Sequence, residues 1–373
     1  MRRTLRLQTF FSYLLLIVGG AGMLVPLLWM ISTSLKDPSA AVSYPPELIP
    51  RVQETWHDQA SDRTLQVFLA TIDGRRVRVA RVRMTKGEAI VRVLDAHDQA
   101  GPEVTVPLQR EVAGRMVPAL EPSRHLFIRW ANYRDAWHAL ALQRPWFAMS
   151  IGGLHFAGFN LRDAFLAFYL NAIIVTVTVT LGQVFTSSLA GFAFARLRFR
   201  ARDVLFLGYL ATMMVPHVVT MIPVFILLRV LGLIDTYSAM ILPAMFSAYG
   251  TFLLRQFFLS IPPDLEDAAR LDGCGDWGVY RHVVMPLSRP ALAALATFVF
   301  LGTWNSFMWP LIVMNSTEKM PLMLGLYSFM GQYNVEWGLL MAASVMAMIP
   351  VILVFIFGQR YFVQGVVLSG LKG

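Results

Sequence analysis

Asp264, Glu266 and Asp267 head the run "DLEDAARLDG" (264–273), with Ala268 and Ala269 behind them and Gly273 and Gly275 closing it. Carboxylates at a helix start meet its positive end, and the Pro262-Pro263 pair just before them stops any preceding helix. A second amphipathic piece, "WGVYRHVVM" (277–285), follows the glycines, and Pro286 with Pro290 turns the chain onward. Two short helices joined by a glycine turn make a compact knob. Its chemistry is docking: small alanines let another surface approach closely, and the surrounding acids and arginines fix the register.

Reactive chemistry is poorly supported. No Gly-x-x-x-x-Gly-Lys-[Ser/Thr] phosphate loop occurs, and neither does His-Glu-x-x-His nor Gly-x-Ser-x-Gly. The seven histidines, at 57, 97, 125, 138, 155, 217 and 282, show no metal-ligand spacing, so no metal site is expected. The single cysteine, Cys274, rules out an intramolecular disulfide.

The elements that must position the knob are apolar. With 56% hydrophobic and 15% charged residues and a mean hydropathy of +0.55, the chain belongs in a bilayer. Runs long enough to cross it lie at about 10–32, 165–191, 204–228, 237–259, 290–314 and 336–358, which predicts six helices. The first begins with a basic stretch but continues without a clear cleavage site, so it reads as a retained helix. Arg2, Arg3 and Arg6, then Arg196, Arg198, Arg200 and Arg202, then Arg270, Arg281 and Arg289 all fall on one side if both termini are cytoplasmic. The net charge of +9 follows from such loops, and no basic stripe interleaved with aromatics points to nucleic acid.

Residues 37–160 then lie outside the cell membrane. "RTLQVFLATIDGRRVRVARVRM" reads as two strands joined at Asp73-Gly74, and "EAIVRVLDA" as a third after Lys86-Gly87. A small β-rich domain over about 50–122 is expected, followed by a linker and short helical or interfacial pieces. Arg76, Arg78, Arg81 and Arg83 form either an anion-binding stripe or a solvated face.

Polar groups at membrane depth are costly and usually turn inward. Asn305, Trp304 and Ser306 on the fifth helix, Tyr249 on the fourth and His217 beside Pro216 on the third are therefore the candidates for a translocation path. Trp304 and Trp309 have a plain packing alternative, and His217 a hydrogen bond to a neighbouring helix.

The order Asp267-Ala268-Ala269, Gly273, Val283-x-Met285-Pro286 resembles the "EAA" coupling loop of permeases in binding-protein-dependent ABC importers. "TWNSFMWPLIVMN" (303–315), "GQYNVEWGLLMAAS" (331–344) and "QRYFVQGVVLSGLKG" (359–373) resemble the MalG-type permease subunits of carbohydrate importers. The likeness covers about 10–36 and 160–373. It implies a mainly α, polytopic membrane protein of the type I ABC importer permease fold with six transmembrane helices, plus a small inserted extracytoplasmic β-rich domain that typical relatives lack. The domains would be 1–36, the insert 37–160, and a permease core 161–373 with its coupling loop at 262–290.

The resemblance further implies a bacterial inner membrane and a transport subunit that binds no cofactor itself, with ATP and magnesium on a separate ATPase. Its partners would be a dimer of ATP-binding subunits, a second, MalF-type permease and an extracytoplasmic sugar-binding protein meeting 315–335. Glu266 or Asp267 would pair with a basic group of the ATPase, Ala268 and Ala269 would pack, Gly273 would allow the turn and Pro286 would set the angle of the fifth helix. The family's usual Glu aligns with Asp267, so which acid reaches the partner stays open. Two other classes compete. A membrane enzyme built on His217 lacks an acid inside helices two to six, and a membrane receptor sensing through the β-domain need not co-purify with an ATPase and a second permease, as a transport subunit should.

Overall fold

The computed structural model describes residues 2–38, 40–41, 47–58, 61–72, 74–95, 98–112, 115–140, 142, 148–151, 154–157, 163–330 and 336–370. Asp73, His97, residues 331–335 of the "GQYNVEWG" run and the last three residues of the tail motif lie outside the described residues. The chain divides into two units, 1–133 with 336–342 and 134–335 with 343–373.

In the first unit, helix α1 (Arg2–Ser34) presents an apolar window of which none is buried, a surface suited to lipid or another chain. The strands are β1 (Arg51–Gln53), β2 (Thr55–Asp58), β3 (Arg63–Ile72), β4 (Arg75–Thr85), β5 (Glu88–Leu94), β6 (Ala100–Pro107), β7 (Gln109–Val112), β8 (Arg115–Pro118), β9 (Leu120–Pro122) and β10 (Arg124–Leu126). β2 to β6 form an antiparallel meander onto which β9 folds back beside β3. Side-chain alternation gathers Phe68, Ala70, Val79, Ala89, Val91, Val106 and Leu120 into one core. Ile72 pairs with Arg75 across a two-residue turn in which Gly74 takes φ +76°, the left-handed geometry that glycine adopts without strain.

Arg76, Arg78 and Arg81 of the arginine stripe have partners within this unit. Arg78 joins Glu54 and Asp98, Arg76 stands 3.7 Å from Glu121, and Arg81 donates to Gln66 at 2.6 Å. At the foot of this unit Asn132 Nδ2 donates to the carbonyls of Ser34 and Lys36, both at 2.8 Å, fixing the end of α1.

Helix α2 (Ala131–His138) carries the chain into the second unit, where β11 (Ala148–Ile151) and β12 (Leu154–Ala157) form a hairpin that the sequence pattern did not suggest. The helices that follow are α3 (Ala164–Arg196), α4 (Arg202–Ala211), α5 (His217–Val230), α6 (Tyr237–Ile241), α7 (Ala248–Leu259), α8 (Asp264–Leu271), α9 (Asp276–Val279), α10 (Met285–Leu287), α11 (Arg289–Trp304), α12 (Met308–Val313), α13 (Leu322–Tyr327) and α14 (Trp337–Gly370). Among the described residues four helices have the length and apolarity to cross a membrane, and up to six if each of two bent pairs is one span.

The expected span at 204–228 is one of the bent pairs: residues 202–214 and 217–230 meet at 99°. Proline causes the break. Pro216 has no N–H to give and drives Val215 to an extended ψ of 118°. The expected 237–259 span holds a 3₁₀ turn at Pro243–Met245, after which Ser247 Oγ caps α7 by accepting from Gly250 N at 3.1 Å. The expected 290–314 span stops at Trp304 and resumes at Met308.

By contrast α3 runs 33 residues without proline or break. It crosses α7 closely: a Cβ on Gly191 would crowd the backbone of Thr251 and Arg255, and one on Gly250 would strike Ser187. Small residues are what permit such an approach.

Candidate functional site

The knob begins where Pro262 and Pro263 end α7. α8 is short, carries Asp264, Glu266 and Asp267 in its first turn and Arg270 in its last, and so favours both ends of its dipole. Gly273 then takes φ +88°. That turn leads into α9, a π-helical turn at Tyr280–Val284, and α10. Arg270 Nη2 reaches Asp276 Oδ1 at 2.8 Å and holds the two short helices together. Pro286 sits inside α10, while the 76° change of direction falls between α10 and α11, where Pro290 opens the next helix.

The two neighbouring acids part company. Asp267 and Ala268 are exposed, Ala269 is half-buried, and Leu271 is 89% exposed. Glu266 is only 6% exposed and lies 2.7 Å from Arg196 Nε, in ion-pair contact though off-line for a hydrogen bond. Arg196 Nη2 also donates to the carbonyls of Phe258 and Ile261, both at 2.6 Å. One guanidinium thus joins the ends of α3, α7 and α8. Burial pushes the Glu266 carboxyl above its ordinary value, against the pull of Arg196 and then Arg270. Nothing in the sequence tied Arg196 to this role, since it lies far upstream among loop arginines.

A cavity of about 570 Å³ opens among α3, α5, α6, α11 and α12. His217, Trp304 and Ser306 line it together, and Thr176, Gln183, Thr220, Ser247 and Thr303 add polar groups the sequence reading missed. Those five are common residues spread over α3, α5, α11 and the turn before α7, so only the fold brings them together. Tyr249 lines a second cavity of about 500 Å³ that shares Gln183 and Thr303 with the first. Asn305 lines neither: its Nδ2 donates to Leu301 O at 2.8 Å at the end of α11. Trp304 is 2% exposed, donates to Ala347 O at 3.1 Å and stacks on Phe300 at 5.7 Å, so packing fixes it as a wall. Among the described residues no group of His, Cys, Asp and Glu is placed to hold a metal ion.

Residues 184–368, which contain the knob, match the family model "Binding-protein-dependent transport system inner membrane component". The arabinooligosaccharides transport system permease protein AraQ of Halalkalibacterium halodurans is 38% identical over 203 residues, 54% of this chain and 73% of that relative. The chain belongs to this permease family. The sn-glycerol-3-phosphate transport system permease protein UgpE of Pectobacterium atrosepticum is 34% identical over 250 residues, 66% of this permease and 82% of the relative. A solved chain of a bacterial ABC transporter involved in import of the acidic polysaccharide alginate shares the fold, with TM-score 0.63 and 21% identity over 96% of this permease and 97% of its own length. That coverage gives the inserted region a counterpart, which typical relatives were expected to lack. The permease is an integral inner-membrane transport subunit with a mainly helical type I fold, and the receptor reading is not favoured.

Proposed function

We propose that this permease forms half the translocation path of an ATP-driven importer for a sugar or oligosaccharide. The observation that carries the substrate class is the 38% identity to a permease named for arabinooligosaccharides. Both termini lie in the cytoplasm in this reading, which puts the knob at 262–290 on the cytoplasmic face and the insert at 37–160 outside. ATP and magnesium belong to a dimer of separate ATP-binding subunits, and this chain supplies no catalytic group. A second, MalF-type permease completes the path, and an extracytoplasmic binding protein delivers the sugar near 315–335.

The exposed Asp267 faces the ATPase and pairs with a basic group there, while Ala268 and Ala269 let the two surfaces close. Glu266 turns inward to Arg196 and holds the knob in register. Closure of the ATPase dimer then moves the knob, and with it the helices around the cavity. Hydroxyls at Thr176, Thr220, Ser247, Thr303 and Ser306, the imidazole of His217 and the indole wall of Trp304 suit a carbohydrate, whose own hydroxyls need partners once water is displaced. The test is uptake of labelled arabinose oligosaccharides into proteoliposomes holding the assembled complex. Uptake that needs ATP and binding protein supports the reading. Absence of sugar uptake with ATP-driven uptake of an amino acid instead would overturn it.

A further inference from the structure

We propose that α3 is the rigid link through which the coupling knob and the loop at 315–320 sense each other. The inference rests on the knob being the ATPase docking element, and it names the residues that carry the signal away from it.

Side chains lock α3 to the knob at two points. Arg196 holds Glu266 of α8 at 2.7 Å. Two turns back, Ser188 Oγ lies 2.7 Å from the Tyr280 hydroxyl, both buried, where the π-helical turn begins. Such turns often mark functional positions in helices.

The opposite end of α3 is locked as well. Asn171, fully buried, donates from Nδ2 to the carbonyls of Glu318 and Met320, both at 2.9 Å, and accepts from the Tyr237 hydroxyl at 2.7 Å. Asp235 grips the same loop, accepting from the backbone N–H groups of Asn315 at 3.0 Å and Ser316 at 2.9 Å. A buried amide with three such bonds cannot let the loop move independently without leaving polar groups unpaired.

Between the locks, which are about 38 Å apart at the helical rise per residue, nothing yields. Among the described spans, α1 contains Pro26, α14 contains Pro350, and the third, fourth and fifth are interrupted. Each interruption is a hinge that can absorb a displacement. α3 has none. A movement of the knob therefore reaches 315–320, and by linkage a protein docked on that loop biases the knob by the same factor.

The experiment measures ATP hydrolysis by the assembled complex in proteoliposomes, with and without sugar-loaded binding protein. Variants are Asn171→Leu, Arg196→Gln combined with Glu266→Gln so that no buried charge is orphaned, and the three changes together. Asn171→Leu is expected to cut stimulation about fivefold while its basal hydrolysis and recovery of the complex hold, the paired Arg196 and Glu266 change to cut stimulation by the same factor relative to its own basal rate, and the combination to be no worse than either, since one link is cut once. Tyr237→Phe, which removes only a hydroxyl, is expected to lower stimulation in the same sense and decides the matter where Asn171→Leu does not assemble. Full stimulation in these variants, or effects that multiply as independent sites do, overturns the proposal. Asp267→Arg serves as the separate control: if it leaves ATPase association intact, the docking reading fails rather than the link.

Discussion

The knob and the cavity are built in opposite ways. In the knob, residues adjacent in sequence are adjacent in space: prolines, acids, alanines and a left-handed glycine follow one another, and local rules of helix starts and turns decide the shape. The cavity collects residues from five helices far apart in sequence, each unremarkable where it stands. A local device can be recognised from its order, whereas a convergent one exists only after folding.

The sharpest way to break this contrast is at the exposed acid. Asp267→Arg sets like charge against the basic partner group, a cost of several kcal/mol, so binding of the ATPase subunit should fall more than tenfold in a pull-down titration. In the cavity, Ser306→Trp adds bulk to a defined space at a cost of about 1–3 kcal/mol. Sugar uptake is expected to drop at least about fivefold while the ATPase still co-purifies, separating the two regions. Asn305→Ala should change uptake less than about twofold, because its amide serves only the end of α11.

The smallest effect concerns pH. Burial holds the Glu266 carboxyl above its ordinary value, so the folded chain binds that proton more tightly than the unfolded one. The stability this group contributes is full below the ordinary carboxylate pKa and is lost as pH rises through the raised folded value. Melting curves of wild type against Glu266→Gln should therefore drift against wild type across that window, and a drift the other way would show that Arg196 outweighs burial.

Legibility in the sequence follows the same division. The apolar runs and the alternating strands around Asp73-Gly74 could be read because hydropathy and turn chemistry act over short spans. Breaks inside the spans were partly visible: Pro216 lies inside the third apolar run, where a proline breaks a helix, but residue type alone does not give the 99° angle. Arg196 was counted only as a loop charge, although it joins three helix ends, because its partners lie more than sixty residues onward in sequence. The two adjacent acids could not be told apart by type. Only the facing of α8 against α3 turns Glu266 inward and leaves Asp267 outside.

Glu266 inward and Asp267 toward the ATPase is a division of labour that one cross-linking measurement can test. With the native Cys274 replaced by Ala, a single cysteine is placed at 267 or at 266, and the assembled complex is treated with a short cysteine-to-amine cross-linker. A covalent adduct with the ATPase subunit is expected from position 267 and none from position 266. An adduct from 266 alone would contradict that division and make Glu266 the acid that meets the partner.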